Sequence, residues 1–303
     1  MSAASSGNSL RALALGLALL TAPLLHAQSA GTVPYVSGAE DIALGKIVLK
    51  ELAAAADRED GPQLMVRAAR KMLGQPYVSG TQEGREERLR IFLTKTDCIL
   101  FAENCLGLVR TAQRFGADAT FEDLAAQVAL SRYRDGVPDG YPSRLHYTAE
   151  WISRGVENGL FQDLTEILGG VRDPRPIRYM SEHPGSYAPL AGESPEAKEN
   201  LRRIRAVEER LDACERHYIP KEKLSAAEDG IRSGDILCFA TSIEGLDYSH
   251  VVIAYREKPG DRLGFIHASS AAGRVIVEPR TLEAYLQANR RILGVTVLRV
   301  NDD

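Results

Sequence analysis

The sequence predicts an α+β fold in which helices pack on an antiparallel β-sheet. Over the first two thirds of the chain, apolar residues recur at the spacing of an amphipathic helix. In the last third, short runs rich in β-branched and aromatic residues are separated by Gly and Pro, a pattern typical of strands and turns. Because the strands follow the helices and do not alternate with them, we expect the helices to cover one side of the sheet.

The individual elements follow from the same periodicities. Helices are predicted around Trp151 and over 41–56, 63–73, 98–115, 120–128 and 195–216. The last of these is highly charged and starts at Pro195 after a Ser194 cap, so we expect a solvated surface helix. Strands are predicted at 235–241, 249–255, 264–268, 275–277 and 293–299, with a helical turn at 282–287 and loops at 75–81 and 170–193.

The first residues of the chain have the pattern of a secretory leader. Arg11 is the only charge before an apolar run over 12–25, and Leu25-His26-Ala27 is an acceptable cleavage site. The run is too short for a membrane span, which predicts a signal peptide at 1–27. No Cys lies near the cleavage site and no later stretch is long enough to cross a bilayer. We therefore expect an exported, periplasmic protein with no stable membrane anchor.

Length and charge favour one enzyme-sized domain. We expect an irregular, flexible mature N-terminus at 28–38 and a single domain at 39–303. The full chain has 303 residues and a net charge of −4, and removal of the leader makes it about one unit more negative. There is no basic run, so nucleic acid is not an expected partner. We expect a monomer that needs no metal or cofactor.

Cys98 is the residue best placed for covalent chemistry. It follows Asp97 at the predicted start of a helix, where Thr96 or Asp97 can act as the cap. Unpaired N–H groups at a helix N-terminus stabilise a thiolate, which predicts a lowered pKa. The alternative is a small apolar residue in a helix. Cys105 lies seven residues further on the same face and is interpreted as a buried structural thiol.

The remaining cysteines leave the disulfide state open. The four cysteines lie at 98, 105, 214 and 238, and an exported protein forms disulfides readily. If Cys98 is a nucleophile, three thiols remain, and an odd number cannot all pair. Cys214 with Cys238 and Cys214 with Cys105 are the two candidate pairs.

Two histidines are predicted to meet at one end of a β-hairpin. A turn centred near Pro259-Gly260 pairs position 250 close to position 269, so His250 and His267 both lie at the open end. They share a face unless the register shifts by one residue. With Cys98 opposite, His250 would be the base that holds the thiolate as an ion pair, and His267 would orient it. Each histidine has the alternative of a structural role, and a zinc site is disfavoured because HExxH and CxxC motifs are absent.

Two more residues fit a catalytic site. Tyr77, in Gln-Pro-Tyr-Val-Ser-Gly, could place its phenol beside the reacting carbonyl oxygen, together with the Cys98 N–H. Its alternative is a turn residue packed on the surface. Asp97 could contact substrate, but we favour a helix cap.

The order of these motifs resembles the NlpC-type superfamily of papain-like cysteine peptidases, which are hydrolases of bacterial peptidoglycan. Within it, the chain is most similar to a branch of N-acetylmuramoyl-L-alanine amidases first catalogued as a domain of unknown function. The matching stretches run from about Tyr77 to Arg299 and are YVSGTQE, TDCILFAENCLGL, SRYRDG, GYPSRLHYTAEWI, SGDILCFATSIEGLDYSHVVIA and LGFIHASSAAGRVIVEP.

The resemblance implies a papain-like core and a site. Cys98 would be the nucleophile, His250 the base, His267 the third member and Tyr77 an oxyanion contact. The substrate would be a muropeptide, in the anhydro form, cut between the muramic lactyl group and L-Ala. Residues in motifs of the branch would line the substrate groove, or else form a structural salt-bridge network; they are Asp97, Arg132, Tyr133, Arg134, Arg144, His146, Tyr147 and Asp247.

The chain departs from the branch beside Cys98, and two other functions remain as alternatives. Ile99-Leu100 stand where a Thr is common, which makes the rim beside Cys98 more apolar. One rival is a γ-D-glutamyl-diamino acid endopeptidase, the commoner activity in the superfamily. The other is a muropeptide-binding protein with an inactive site, which the presence of Cys98, His250 and His267 argues against.

Overall fold

The computed structural model describes residues 33–84 and 86–302. The predicted signal peptide at 1–27 lies outside the described residues. Within the segment predicted to be irregular, Tyr35–Val36 form a short strand (β1), which pairs in parallel with Leu89–Arg90 (β2). The end of the N-terminal segment is therefore tied to the chain that leads to the Cys98 helix.

The main elements agree with the predicted order of helices followed by strands. The described helices are α1 (Ala39–Ala56), α2 (Gly61–Lys71), α3 (Cys98–Phe115), α4 (Phe121–Arg132), α5 (Thr148–Glu157), α6 (Tyr179–Glu182), α7 (Pro195–Ala213), α8 (Leu224–Ala227) and α9 (Leu282–Ala288). The further strands are β3 (Phe161–Asp163), β4 (Val171–Arg172), β5 (His217–Pro220), β6 (Ile236–Thr241), β7 (Tyr248–Tyr255), β8 (Gly264–Ser269), β9 (Arg274–Val277) and β10 (Ile292–Val300).

The strands from β3 to β10 form one antiparallel sheet, separate from the β1–β2 pair. Its order is β4-β5-β10-β6-β7-β8-β9, and β3 also pairs with β10. The stretch from β6 to β9 is a meander, as the sequence predicts. The last strand, β10, does not continue it but returns to lie between β5 and β6. The α+β class with an antiparallel sheet is thus confirmed.

The expectation that helices cover only one side of the sheet is wrong. All six residues of β6 are buried, and the five from Ile236 to Ala240 alternate between two apolar clusters. Cys238 belongs to the larger cluster, which the helices from α1 to α5 and α7 share with one face of the sheet. Phe239 belongs to a second cluster, where α8 and α9 cover the other face. A strand buried on both faces has no polar alternation to reveal its two sides.

The α7 helix is less exposed than predicted. It ends at Ala213 and buries a stripe that includes Ile204, Val207 and Leu211, spaced three and four residues apart. Most of its charged residues occupy the outer face, but Glu208 is buried. The prediction of a solvated helix therefore holds for the outer face, and it is wrong for the face that carries the apolar stripe.

The α3 helix lies at the centre of the larger cluster and carries Cys98 at its start. It packs against α1, α2 and α4 on one side and against β7 and β8 on the other. A Cβ at Gly107 would lie 2.8 Å from Val128 Cγ2, so the contact with α4 requires a glycine there. This packing fixes the direction of the helix relative to the strands that bear His250 and His267.

No helix within the described residues combines the length and the apolar character that a membrane crossing requires.

Candidate active site

The start of α3 is built by the residues on either side of it. Asp97 has extended backbone angles, and its Oδ1 accepts a hydrogen bond of 3.0 Å from the Leu100 N–H. The preferred prediction of a helix cap is confirmed. Thr96 pairs in parallel with Tyr77, and its carbonyl accepts from the Val78 N–H at 2.9 Å. Cys98 is thereby placed at the first helical position.

Tyr77 is held between the start of α3 and the turn that joins β8 to β9. Its N–H donates to the Gly273 carbonyl at 2.8 Å, while the Thr96 N–H donates to the Pro76 carbonyl at 3.0 Å. Burial raises the pKa of the phenol, and the charge of the neighbouring Cys98 thiolate would raise it further. The predicted turn residue therefore lies close to the thiol.

The hairpin has the predicted register. Ile253 pairs with Ile266 and Tyr255 with Gly264, which places position 250 opposite position 269. His250 Nε2 lies 2.7 Å from His267 Nδ1, with the two rings edge to face. The prediction that the two histidines share a face is confirmed.

Cys98 meets β7 at the residue that follows His250. The backbone N–H groups of Val251, Ile99 and Cys98 itself act on the thiol and lower its pKa in part. His250 already uses Nε2 for His267. Its Nδ1 is therefore the ring nitrogen available to a reacting thiol.

The pKa values of Cys98 and His250 differ from the values expected from the sequence. Burial raises the pKa of Cys98 to about 11, the charge of Asp97 adds to this, and the three N–H groups only partly oppose it. The predicted lowering of this pKa by the helix N-terminus is wrong, because desolvation of the thiolate outweighs the helix dipole. Burial, and secondarily His267, lowers the pKa of His250 to about 3. Both shifts favour a neutral thiol beside a neutral imidazole.

A carboxylate that sequence reasoning missed lies behind His267. Glu278 Oε2 is 3.3 Å from His267 Nε2, and Glu278 Oε1 accepts a 2.6 Å hydrogen bond from Arg280 Nε. The Glu278 N–H donates to the Phe265 carbonyl at 2.9 Å, which extends the β8–β9 pairing by one residue. Extending the predicted hairpin past residue 277 would have placed this acid near His267.

A pocket of about 180 Å³ opens beside the start of α3. Four of the predicted substrate residues are among its lining; they are Asp97, Arg132, Arg144 and His146. Trp151, which sequence reasoning did not assign to the site, lines it too. The pocket therefore joins the apolar rim at Ile99 to two guanidinium groups.

Both arginines of the pocket have internal partners. Arg132 is only 2% exposed, and its Nε donates to Glu103 at 2.8 Å. Its Nη2 has no hydrogen-bond partner among the described residues. Arg144 pairs with Glu83 at 2.8 Å and approaches Glu87 at 3.3 Å. Both arginines therefore form the salt bridges of the structural alternative, and only the Nη2 group of Arg132 is left without a partner among the described residues.

His146, the histidine in the lining of the pocket, has the contacts of a structural residue. His146 Nε2 lies 2.8 Å from the Tyr141 carbonyl, and the two rings pack together. Burial lowers the pKa of His146 to about 3. Its imidazole ring is therefore an uncharged part of the pocket lining near pH 7.

Four predicted substrate residues lie outside the described lining of the pocket and use their polar atoms internally. Tyr133 donates to Glu87 at 2.7 Å, and Arg134 donates from Nε to Glu150 at 2.9 Å. Tyr147 donates to Glu208 at 2.7 Å. Asp247 accepts from the Ala149 N–H at 2.7 Å and so caps α5. These contacts shape the loops around the pocket, and we leave the four residues out of the proposed substrate contacts.

All four cysteines are free thiols in the structure. Cys105 and Cys238 are buried, and Cys214 is exposed at the end of α7. Neither candidate disulfide is formed, and burial raises the pKa of Cys105, as expected for a structural thiol. Within the described chain, no three His, Cys, Asp or Glu residues are arranged to hold a metal ion.

The arrangement brings a thiol and two imidazoles together, and acyl-transfer hydrolases use groups of these kinds as nucleophile, base and orienting group. The sequence profile of a family described as AmiA-like, N-acetylmuramoyl-L-alanine amidase-like, matches residues 67–295. The chain belongs to this N-acetylmuramoyl-L-alanine amidase-like family. A comparison with curated proteins found no match.

Solved structures share the fold over most of the chain. An N-acetylmuramoyl-L-alanine amidase from Bacteroides uniformis ATCC 8492 is 36% identical, with a TM-score of 0.72 over 80% of this chain and 99% of that chain. A Bacteroides fragilis protein provisionally named a xylanase is 35% identical, with a TM-score of 0.70 over 77% of this chain and 99% of its own. A Legionella pneumophila protein at 17% identity, with a TM-score of 0.64 over 87% and 96%, supports the fold alone.

Proposed function

We propose that the protein is a peptidoglycan hydrolase that cleaves the amide between N-acetylmuramic acid and L-Ala with Cys98 as nucleophile. The observation that carries this proposal is the 2.7 Å contact between His250 and His267, on the strands against which the Cys98 helix packs. The family and the Bacteroides uniformis amidase support the choice of bond. A helix-start cysteine packed on histidine-bearing strands also supports a papain-like core of the NlpC type.

The first chemical step is general-base-assisted attack. The Cys98 thiol proton passes to His250 Nδ1 as Sγ forms a bond to the lactyl carbonyl carbon, and the carbonyl π electrons move to oxygen. Proton transfer during attack suits a pair that is neutral at rest. The 2.7 Å hydrogen bond between His250 Nε2 and His267 Nδ1 keeps the His250 ring in position.

The oxyanion that forms needs donors in place before reaction. The Cys98 N–H lies at the start of α3, where helical N–H groups have no partner within the helix. The Tyr77 phenol is close to the thiol and remains protonated, since its pKa is raised. We assign the oxyanion contacts to these two groups.

The tetrahedral intermediate then collapses. The carbon–nitrogen bond breaks, and the proton on His250 Nδ1 passes to the nitrogen of L-Ala, which leaves as a free amine. Water, deprotonated by the same nitrogen, attacks the muramoyl thioester and releases the lactyl carboxylate. The proton returns to the sulfur, so the cycle consumes one water and no other reactant.

The pocket beside α3 is the proposed groove for the peptide. Arg132 and Arg144 lie in it, and guanidinium groups pair well with peptide carboxylates. The buried, unpartnered Nη2 of Arg132 supports a ligand oxygen at that point. We propose anhydro-muropeptides as the substrates, and export to the periplasm, supported by the leader-like pattern around Arg11, as the location.

Mass spectrometry of digests tests the bond that is cut. We expect wild-type protein to release a peptide with intact L-Ala from a defined anhydro-muropeptide, and Cys98→Ala to release none. A cut between D-Glu and the diamino acid, which leaves L-Ala–D-Glu attached to the muramic sugar, would establish the rival endopeptidase. Binding of the intact muropeptide without any product, in folded wild-type protein, would establish the rival binding function.

A reduced muropeptide of the same peptide sequence is the matched control for the glycan end. Equal rates on the two substrates would refute the anhydro preference and leave the amidase proposal intact. Cutting that persists in Cys98→Ala would refute the mechanism.

A further inference from the structure

Glu278 occupies the side of His267 that faces away from His250. The two histidines are joined through His267 Nδ1, and the second ring nitrogen, Nε2, lies 3.3 Å from Glu278 Oε2. His267 is 2% exposed and Glu278 is 7% exposed, so water has little access to this contact. The contact does not have the geometry of a hydrogen bond, and His267 Nε2 has no hydrogen-bond partner among the described residues, so Glu278 Oε2 is the acceptor nearest to it. Catalytic hydrogen bonds are often long or poorly aligned before a substrate is bound.

Arg280 fixes which oxygen of Glu278 faces the histidine. Arg280 Nε donates to Oε1 at 2.6 Å, which leaves Oε2 for His267. The guanidinium lies 4.5 Å from the ring centre of Tyr285, which steadies it. The backbone of Glu278 is pinned to Phe265. The carboxylate therefore cannot exchange its two oxygens freely.

The ionic state of Glu278 determines where the proton of His267 lies. Burial acts to raise the pKa of Glu278, but the hydrogen bonds and charge of Arg280 outweigh it and lower the pKa. An ionised carboxylate only accepts hydrogen bonds, so His267 Nε2 must carry the hydrogen. Burial lowers the pKa of His267 to about 4, so the ring is neutral near pH 7 and its lone pair is on Nδ1.

The tautomer of His267 in turn determines the tautomer of His250. Because His267 Nδ1 is an acceptor, the 2.7 Å contact requires a hydrogen on His250 Nε2. His250 is neutral as well, so its lone pair is on Nδ1. We propose that Glu278, oriented by Arg280, is a positioning residue that sets the tautomers of both histidines and so makes His250 Nδ1 the base. This inference rests on the proposed function only in taking His250 as that base.

Glu278→Gln tests the proposal because its amide cannot present two equivalent atoms. The Arg280 N–H selects the amide oxygen, so the amide NH₂ faces His267 Nε2 and donates to it. This reverses both tautomers and places a hydrogen on His250 Nδ1. In serine proteases, an amide that enforces the wrong tautomer costs about 10⁴-fold in kcat. We expect a loss of about 10³–10⁴-fold in kcat with KM nearly unchanged.

Two further variants separate the tautomer effect from a loss of structure. Glu278→Ala leaves room for water to accept from His267, so we expect it to lose only about 10–100-fold. Adding Arg280→Ala to Glu278→Gln frees the amide to turn, so we expect it to regain at least about 10-fold over Glu278→Gln alone. Glu283→Gln, an exposed α9 acid that pairs with Arg262, is the matched control and should retain wild-type activity.

Nitrogen-15 NMR of the histidine rings near neutral pH provides a readout that needs no substrate. We expect hydrogen on Nε2 of both His250 and His267 in the wild type, and on Nδ1 of both in Glu278→Gln. Unchanged tautomers in Glu278→Gln, or a Glu278→Gln variant no slower than Glu278→Ala, would overturn the proposal. If the tautomers switch as expected but wild-type protein cuts no muropeptide, only the proposed function fails.

Arg280→Ala supplies an independent test should Glu278→Gln not fold. The charged or titratable groups that face Glu278 and His267 are Arg280, His250 and Tyr285. Without Arg280, burial dominates and Glu278 takes up a proton at higher pH. We expect the acid limb of the kcat profile to move to higher pH, and an unmoved limb would contradict the proposal.

Discussion

His250 Nε2 lies 2.7 Å from His267 Nδ1, although the two residues are 17 positions apart in the chain. They are diagonal neighbours on adjacent antiparallel strands, a geometry that a hairpin of this register imposes. The contact leaves Nδ1 of His250 and Nε2 of His267 for other partners, and the latter lies 3.3 Å from Glu278 Oε2. In the proposed mechanism these two nitrogens serve the thiol and the carboxylate.

The resting state of Cys98 is predicted to be a neutral thiol. Burial raises the pKa of the thiol to about 11 and lowers that of His250 to about 3, so an ion pair is unfavourable before substrate binds. Ultraviolet absorbance of the thiolate, measured as the difference between wild type and Cys98→Ser, should be absent at pH 7. Thiolate absorbance that persists from pH 7 to pH 5 would show that the ion pair forms and that desolvation does not dominate.

Tyr77→Phe is predicted to lower kcat and leave KM almost unchanged. The variant removes one donor to the oxyanion, and loss of one such donor costs about 10²–10³-fold in kcat. Steady-state kinetics on a muropeptide checks this. Tyr218→Phe, a partly buried tyrosine on β5, is the control for loss of a phenol elsewhere. A Tyr77→Phe enzyme within about twofold of wild type would remove Tyr77 from the mechanism.

The Arg132–Glu103 pair is predicted to contribute to stability and binding in different ways. Both side chains are nearly inaccessible, so Glu103→Leu leaves a buried charge and should cost about 3–5 kcal/mol in free energy of unfolding. The double variant Arg132→Met, Glu103→Leu should recover most of that loss, yet bind muropeptide more weakly than wild type. Urea unfolding and calorimetric binding measure the two effects. Wild-type affinity in the folded double variant would exclude Arg132 from the groove.

Asp247 is predicted to make stability depend on pH. Burial raises its pKa from 3.8 to about 6, so the folded state holds this proton more tightly than the unfolded state. The contribution of Asp247 to the free energy of unfolding is therefore fully present below about pH 4 and is lost as pH rises to about 6, a change of roughly 3 kcal/mol. Asp247→Asn should remove this component, seen as a pH-dependent difference from wild type in urea unfolding. Glu244→Gln, an exposed acid in the same loop, is the control, and an equal pH dependence in wild type and Asp247→Asn would refute the assignment.

Features set by local sequence were predictable here. The cap at Asp97 and the helix start at Cys98 depend on three or four consecutive residues. The contact between His250 and His267 follows from the length of one hairpin and the two-residue period of a strand. These local rules are sufficient to identify the candidate nucleophile and base.

Features set by tertiary packing were not predictable. The pKa of Cys98 depends on how deeply the thiol is buried against β7, which no local pattern shows. The second covered face of the sheet was hidden because β6 is apolar throughout. Residues such as Tyr147 and Asp247 lie in motifs of the site but are used inside the protein, by Glu208 and by the start of α5. Position in a motif does not distinguish a substrate contact from a supporting one.

Formation of an acyl-enzyme on Cys98 is tested by comparing peptide release by the wild type and by Cys98→Ala. Wild-type protein and Cys98→Ala are each incubated with an anhydro-muropeptide, and released peptide is quantified over time by mass spectrometry. We predict release of a peptide with intact L-Ala by wild type, and a fall of at least about 10³-fold in Cys98→Ala, whose fold is verified by its melting temperature. Release by Cys98→Ala at the wild-type rate would contradict the account.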